Sequence, residues 1–136
     1  MDRIYQIRKQ NNQIGNHAGF TLNCSFKKQE TSIKTVDFAI DEYEAQWKEA
    51  TLEGIAIFYA FYKEHFSGEL TITIKNIKWF PVDTRDIIVT YVIIRALCEW
   101  FQLDFKPILD QYQFESVLFL NDFSFETKDD IHFFIN

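Results

Sequence analysis

Between Ile87 and Phe101 only Thr90, Arg95 and Glu99 are clearly polar, and every other residue is apolar or aromatic. A helix of this composition must be covered around most of its circumference. Its uncharged run, Ile87 to Ile94, is too short to span a bilayer, so the cover has to come from the rest of the chain. What precedes it reads as a half-buried strand, with Leu70, Ile72, Ile74 and Ile77 set against Thr71, Thr73 and Lys75. Pro81 ends that strand because it has no amide hydrogen to give a ladder. Asp83-Thr84-Arg85-Asp86 then reads as a helix start, an acceptor at the cap with a carboxylate three residues on. Arg95 and Glu99, four apart, are expected as a surface pair.

The other elements follow from the same periodicities. Ile4 and Ile7 suggest a short edge strand, and Phe20, Leu22, Cys24 and Phe26 alternate with polar residues in a clear one. Lys27-Lys28-Gln29-Glu30 reads as a turn into a weaker strand over Ile33 to Ile40, which predicts an antiparallel hairpin. Asp41 and Glu44 have the spacing of a second cap. Tyr43, Trp47, Ala50, Gly54, Ile57, Phe58, Phe61 and Tyr62 then keep helical spacing, with Gly68 expected as the left-handed stop. Gly54 inside that stripe costs about 1 kcal/mol relative to alanine, so a second backbone is expected close by. Phe114 to Leu120 and Ile131 to Ile135 read as strands around an acidic turn from Asn121 to Asp130.

Charge is unevenly distributed. Residues 1–34 hold six Lys/Arg and two Asp/Glu, whereas the whole chain carries a net charge of −6. That total disfavours a general nucleic-acid binder, since phosphates would be repelled by most of the surface. No apolar stretch follows Arg3, Arg8 and Lys9, so no signal peptide is expected. Cys24 and Cys98 fall on a strand and a buried helix, which predicts two reduced thiols and fits a cytoplasmic protein.

No cluster spells out a reaction. His17, His65 and His132 lie in separate segments without a second ligand at metal spacing. There is no glycine-rich phosphate loop, and no serine or cysteine sits in a recognisable nucleophile motif. The expectation is therefore no enzyme, no cofactor and no metal. Aromatic residues make up 18% of the chain, and these are the side chains that anchor protein interfaces.

Gly15-Asn16-His17-Ala18-Gly19-Phe20, Ala50-Thr51-Leu52-Glu53-Gly54-Ile55, the strand from Leu70 into Val82-Asp83-Thr84 and Lys106-Pro107-Ile108-Leu109-Asp110, taken in order, resemble domain IV of translation elongation factor G. The first is similar to that family's glycine-led first strand, and the second to its helix motif. The third resembles its strand, turn and helix start, and the fourth the segment after its second helix. The resemblance covers about residues 15–112 and implies a two-layer, split β-α-β fold. It also implies a ribosome- or RNA-associated role. Phe80, however, stands where the family places a tip histidine, and Asn76-Ile77-Lys78 replaces its Asp-Gly turn.

Together these readings predict one α+β domain over 1–136. Its architecture is a two-layer sandwich with a mostly antiparallel sheet of four or more strands. Two helices, about 41–66 and 84–102, lie on one face, and a C-terminal strand pair completes it. The function expected is a non-catalytic cytoplasmic module, of immunity or regulatory type. It would recognise a basic protein partner, or itself, through an acidic, aromatic-rich surface, with no membrane involved. The residues expected to carry recognition are Trp79, Phe80, Phe123, Phe125, Asp129 and Asp130. An RNA or ribosome partner and an unrecognised enzyme site are the alternatives.

Overall fold

A computed structural model describes residues 1–11, 14–112, 114, 125–128 and 131–134, with only the backbone considered for 9–11, 14, 125–128 and 131–134. The fold is α+β in two layers. Strands β1 (Arg3–Asn11), β2 (Ile14–Lys28) and β3 (Ile33–Phe38) come first. Helix α1 (Lys48–Tyr62) and strand β4 (Gly68–Lys78) follow, then α2 (Asp86–Phe101) and the short α3 (Lys106–Tyr112). Strands β5 (Phe125–Lys128) and β6 (Ile131–Phe134) close the order. All six strands form one sheet in the order β3-β4-β2-β1-β6-β5.

Period-two burial orients the sheet. Tyr5 and Ile7 on β1, Ala18, Phe20, Leu22 and Cys24 on β2, and Leu70, Ile72, Ile74 and Ile77 on β4 are all buried beneath the helices. Their neighbours Ile4, Thr21, Asn23, Thr71 and Thr73 are half-buried on the opposite face, which no helix among the described residues covers. Every residue of α2 from Ile88 to Cys98 is buried. It is the helix at the centre of the core, as its composition requires.

Several expectations are corrected. The segment after the first turn does not form a hairpin with β2; β3 pairs with β4, and in parallel. Its inward residues Val36 and Phe38 are only partly buried and need the cover of α1, which a β3–α1–β4 crossover supplies. Because β3 and β4 are direct neighbours, the crossover is not split. Strand β1 is not at an edge, since it lies between β2 and β6, the latter running parallel to it. Arg95 is buried with its guanidinium 4.7 Å from the Phe105 ring centre, a stacked rather than a surface position. The acidic turn after Asn121 contains β5, which pairs antiparallel with β6. Of the strand expected over Phe114 to Leu120 only Phe114 is described; it is helical and packs on Tyr91 at 5.6 Å between ring centres.

The helix boundaries are also instructive. Asp41 and Glu44 do form a reciprocal capping box: Asp41 N–H donates to Glu44 Oε2 at 3.0 Å and Glu44 N–H to Asp41 Oδ1 at 2.8 Å. It opens a short 3-10 turn, Glu44–Trp47, that leads into α1. Gly68 is not a helix stop but the first residue of β4, with φ at +154°. A side chain there would meet the backbone of Lys27 and Lys28. Helix α2 starts after Arg85, whose side chain makes no cap bond, so the cap expected at Asp83 is displaced by two residues. Thr84 is occupied instead in the loop that precedes the helix.

Candidate functional site

At one end of the sheet, β4 stops at Lys78 while β2 continues toward Ile14, so among the described residues the end of β2 lacks a ladder partner on that side. The loop from Trp79 to Arg85 fills the gap. His17 N–H donates to the Asp83 carbonyl at 3.0 Å, and Thr84 Oγ1 donates to the His17 carbonyl at 2.6 Å. The same hydroxyl accepts the Phe80 N–H at 2.8 Å, and Thr84 N–H donates to the Phe80 carbonyl at 3.0 Å. Arg85 reaches across to donate to the Asn16 side chain. Thr84 thus closes the loop on itself and ties it to β2, which is why it does not cap α2.

Held this way, the loop exposes apolar side chains without burying them. Val82 is 88% and Phe80 41% exposed, and Pro81 between them is exposed as well. Trp79 turns the other way, half-buried, with its ring centre 6.0 Å from that of Trp47. The two tip residues anticipated from sequence therefore divide: Phe80 is presented, whereas Trp79 is mainly support. Phe125 lies on β5, away from this loop in the strand order, and its side chain is not among those described. Phe123, Asp129 and Asp130 lie outside the described residues.

Beneath the loop sits His17, only 6% exposed, which periodicity alone did not mark. Its ring lies 4.2 Å from the Phe80 ring at a 32° tilt, and its Nε2 is buried with no hydrogen-bond partner among the described residues. Burial, followed by the Lys78 and Arg8 charges, holds the imidazole below its ordinary value near 6.5, against an opposing pull from Asp83. The folded state therefore binds this proton less readily than the unfolded chain. Stability is fully present above pH 6.5 and is lost as pH falls through the folded-state value. In urea titrations across that window, His17→Gln should show a shallower loss than the parent; identical pH slopes would mean the imidazole is not under this constraint.

Next to His17 on the same open face, Gly19 leaves a depression of about 160 Å³. It is lined by Ile4, Gln6, Gly19, Thr21, Asn76 and Lys78 among others. A β-carbon on Gly19 would come within 2.9 Å of Gln6 Cβ and 3.4 Å of Lys78 Cβ, so the floor of the depression is packed closely enough that only glycine fits there. Cys24 and Cys98 are free and buried, their thiols pushed up to about 12 by burial. They are inert rather than nucleophilic. Among the described residues no group of three His, Cys, Asp or Glu side chains could hold a metal ion, and no helix is long and apolar enough to cross a membrane.

The geometry defines a two-layer α+β fold with an anchored apolar loop at one end of a sheet whose second face no helix among the described residues covers. No protein-family model and no curated protein matches the chain. Among solved structures it is similar to the crystal structure of a protein from Thermus thermophilus, at a TM-score of 0.50 and 18% identity. The match covers 68% of this chain and 16% of that one, so the likeness is to one segment of a much larger protein. At this identity it shows a fold relationship and nothing about activity.

Proposed function

We propose that this chain is a non-catalytic binding module that engages another protein through the loop from Trp79 to Arg85. The observation that supports this most is the pairing of exposed Phe80 and Val82 with a backbone fixed by the buried Thr84. A rigid loop presenting apolar side chains loses little conformational entropy on binding, and aromatic anchors dominate interface energetics. Two free, buried thiols are compatible with a reducing compartment, which supports a cytoplasmic setting. The test is affinity capture from the source cell with partner identification, comparing the parent with a Phe80→Ser, Val82→Ser double variant. Val82 is almost fully exposed and Phe80, partly exposed, packs on the His17 ring, so the variant should stay folded, with the parent's circular dichroism, while losing the partner. Undiminished capture by the folded double variant would refute the loop's role.

A second reading is the ribosome-associated one that the resemblance to domain IV of elongation factor G implies. It is favoured by the element order β-β-β-α-β-α from β1 to α2 and by the position of Phe80 on a loop at the end of the sheet. Net charge weighs against it, since a chain at −6 has few cations to spare for phosphates. It predicts co-sedimentation with ribosomal particles that is lost when Lys75 and Lys78 are replaced.

A further inference from the structure

The open face of the sheet differs in charge from the helical layer. On the helical side the exposed acids, among them Glu49, Glu53, Glu64 and Glu99, outnumber the exposed Lys48, Lys63 and Lys106, the last paired with Asp110. On the open face near the loop, the exposed charges are Arg8, Lys78 and Lys75, the last held by Asp2 at 2.9 Å. Lys78 is in register with Gly19 and lines the hollow, and Arg8, in register with His17, lies one residue pair further along the same face. Gln6, Thr21 and Asn76 add polar groups around it, Asn76 already donating to Glu44, and the His17 Nε2, without a hydrogen-bond partner among the described residues, lies on the same face two residues away. Two carboxylates border this cluster: Asp83, close to Gly15 and acting on His17, and Glu44, which accepts from the Asn76 side chain.

We infer that this face, continuous with Phe80 and Val82, takes an acidic segment of the protein partner: a carboxylate enters the Gly19 hollow beside Lys78, with Arg8 further along the strand, while an apolar neighbour meets the loop. The inference rests on the binding-module reading and refines it, because the sequence alone pointed to a basic partner. The residues behind that expectation, Asp129 and Asp130, lie outside the described part of the chain. Complementary charge here would set orientation and association rate more than raw affinity. An acidic protein segment fits better than nucleic acid, since an apolar loop carrying Val82 gives bases nothing to stack on beyond the single Phe80 ring.

The test uses the full chain, labelled with nitrogen-15, and three synthetic probes of equal length: a Leu-Glu repeat peptide, a Leu-Lys repeat peptide and a single-stranded oligouridine. The Glu peptide should shift the amide resonances of Gln6, Gly19 and Lys78. Its binding should weaken with added salt and fall about fivefold or more in Lys78→Glu, the scale of one lost attraction and one new repulsion. Resonances moved as strongly by the Lys peptide, or moved preferentially by oligouridine, would overturn the inference. Phe80→Ser separates the two readings. If partner capture from the cell is lost in Phe80→Ser but unchanged in Lys78→Glu, the loop reading stands and the acidic-partner inference fails. If both variants keep capture, both fail.

Discussion

Replacing Glu44 with alanine should lower the stability of the fold by about 2–4 kcal/mol, one of the two largest effects expected from a single substitution here. The carboxylate is almost fully buried, at 6% exposure, and both oxygens are in use. Oε2 accepts the Asp41 N–H of the capping box at 3.0 Å. Oε1 accepts the Ile77 N–H at 2.6 Å and a second bond from the Asn76 side chain. The physical reason is a mismatch in strand length. Strand β3 ends at Phe38, paired with Ile74, and β4 carries a register shift against β2 just beyond. Past that point the edge of β4 has no strand beside it among the described residues, and Glu44 serves as the missing acceptor for the buried Ile77 amide. Alanine removes the reciprocal cap and leaves that amide without a partner in a place water does not reach. Glutamine is the informative control. Its carbonyl can still accept from Ile77, but its amide nitrogen cannot accept from Asp41, so it should lose only the cap contribution of about 1 kcal/mol. Chemical unfolding of the three proteins should rank parent, Gln, Ala, with the gap to alanine the wider. A Gln variant as unstable as alanine would show that charge, rather than the acceptor at Ile77, holds this corner.

That corner also shows what could be read from sequence and what could not. The capping box was legible because it is local: an acceptor and a carboxylate three apart have a defined job whatever the tertiary structure. The same was true of α2, whose near-total burial follows from composition, and of β2 and β4, whose apolar residues alternate. The second job of Glu44 was not legible, because it depends on how far β3 extends and where β4 bulges. Strand pairing failed for the same reason. Lys27-Lys28-Gln29-Glu30 looks like a hairpin turn, yet the next strand is carried past β2 to the far side of β4. Local turn chemistry carries no information about which neighbour the strand will find. At the loop, composition points to Trp79 and Phe80 as aromatic anchors, but periodicity does not tell that one faces Trp47 and the other solvent. For His17 the sequence shows only an isolated histidine without a second ligand at metal spacing. Only the fold places Phe80, Lys78 and Arg8 around it.

Gly54 carries the other large effect, and the sign of the change decides why the glycine is there. In α1 it lies one turn from Ala50, and together they form a flat strip against α2. The Thr90 hydroxyl donates to the Ala50 carbonyl at 2.8 Å, a bond between helices that requires a close approach. A β-carbon on Gly54 would sit 2.9 Å from the Thr90 carbonyl oxygen, and nearer still to the Ile93 side chain. The Ile93 methyl could rotate, but the Thr90 carbonyl is helix backbone and cannot. Helix propensity alone favours Gly54→Ala by about 1 kcal/mol, whereas overpacking a close contact costs about 1–3 kcal/mol. The contact should win: Gly54→Ala is expected to destabilise by about 1 kcal/mol net, and Gly54→Leu by about 3 kcal/mol or more, since no rotamer avoids the facing helix. Ala56, exposed on the same helix, supplies the opposite case. There Ala56→Gly should cost about 1 kcal/mol by propensity alone. Equilibrium unfolding of the three variants should thus find alanine worse than glycine at 54 and better at 56. Stabilisation by Gly54→Ala would mean that the helices separate freely at this point. The close crossing of α1 over α2 would then have no part in holding the central helix in place.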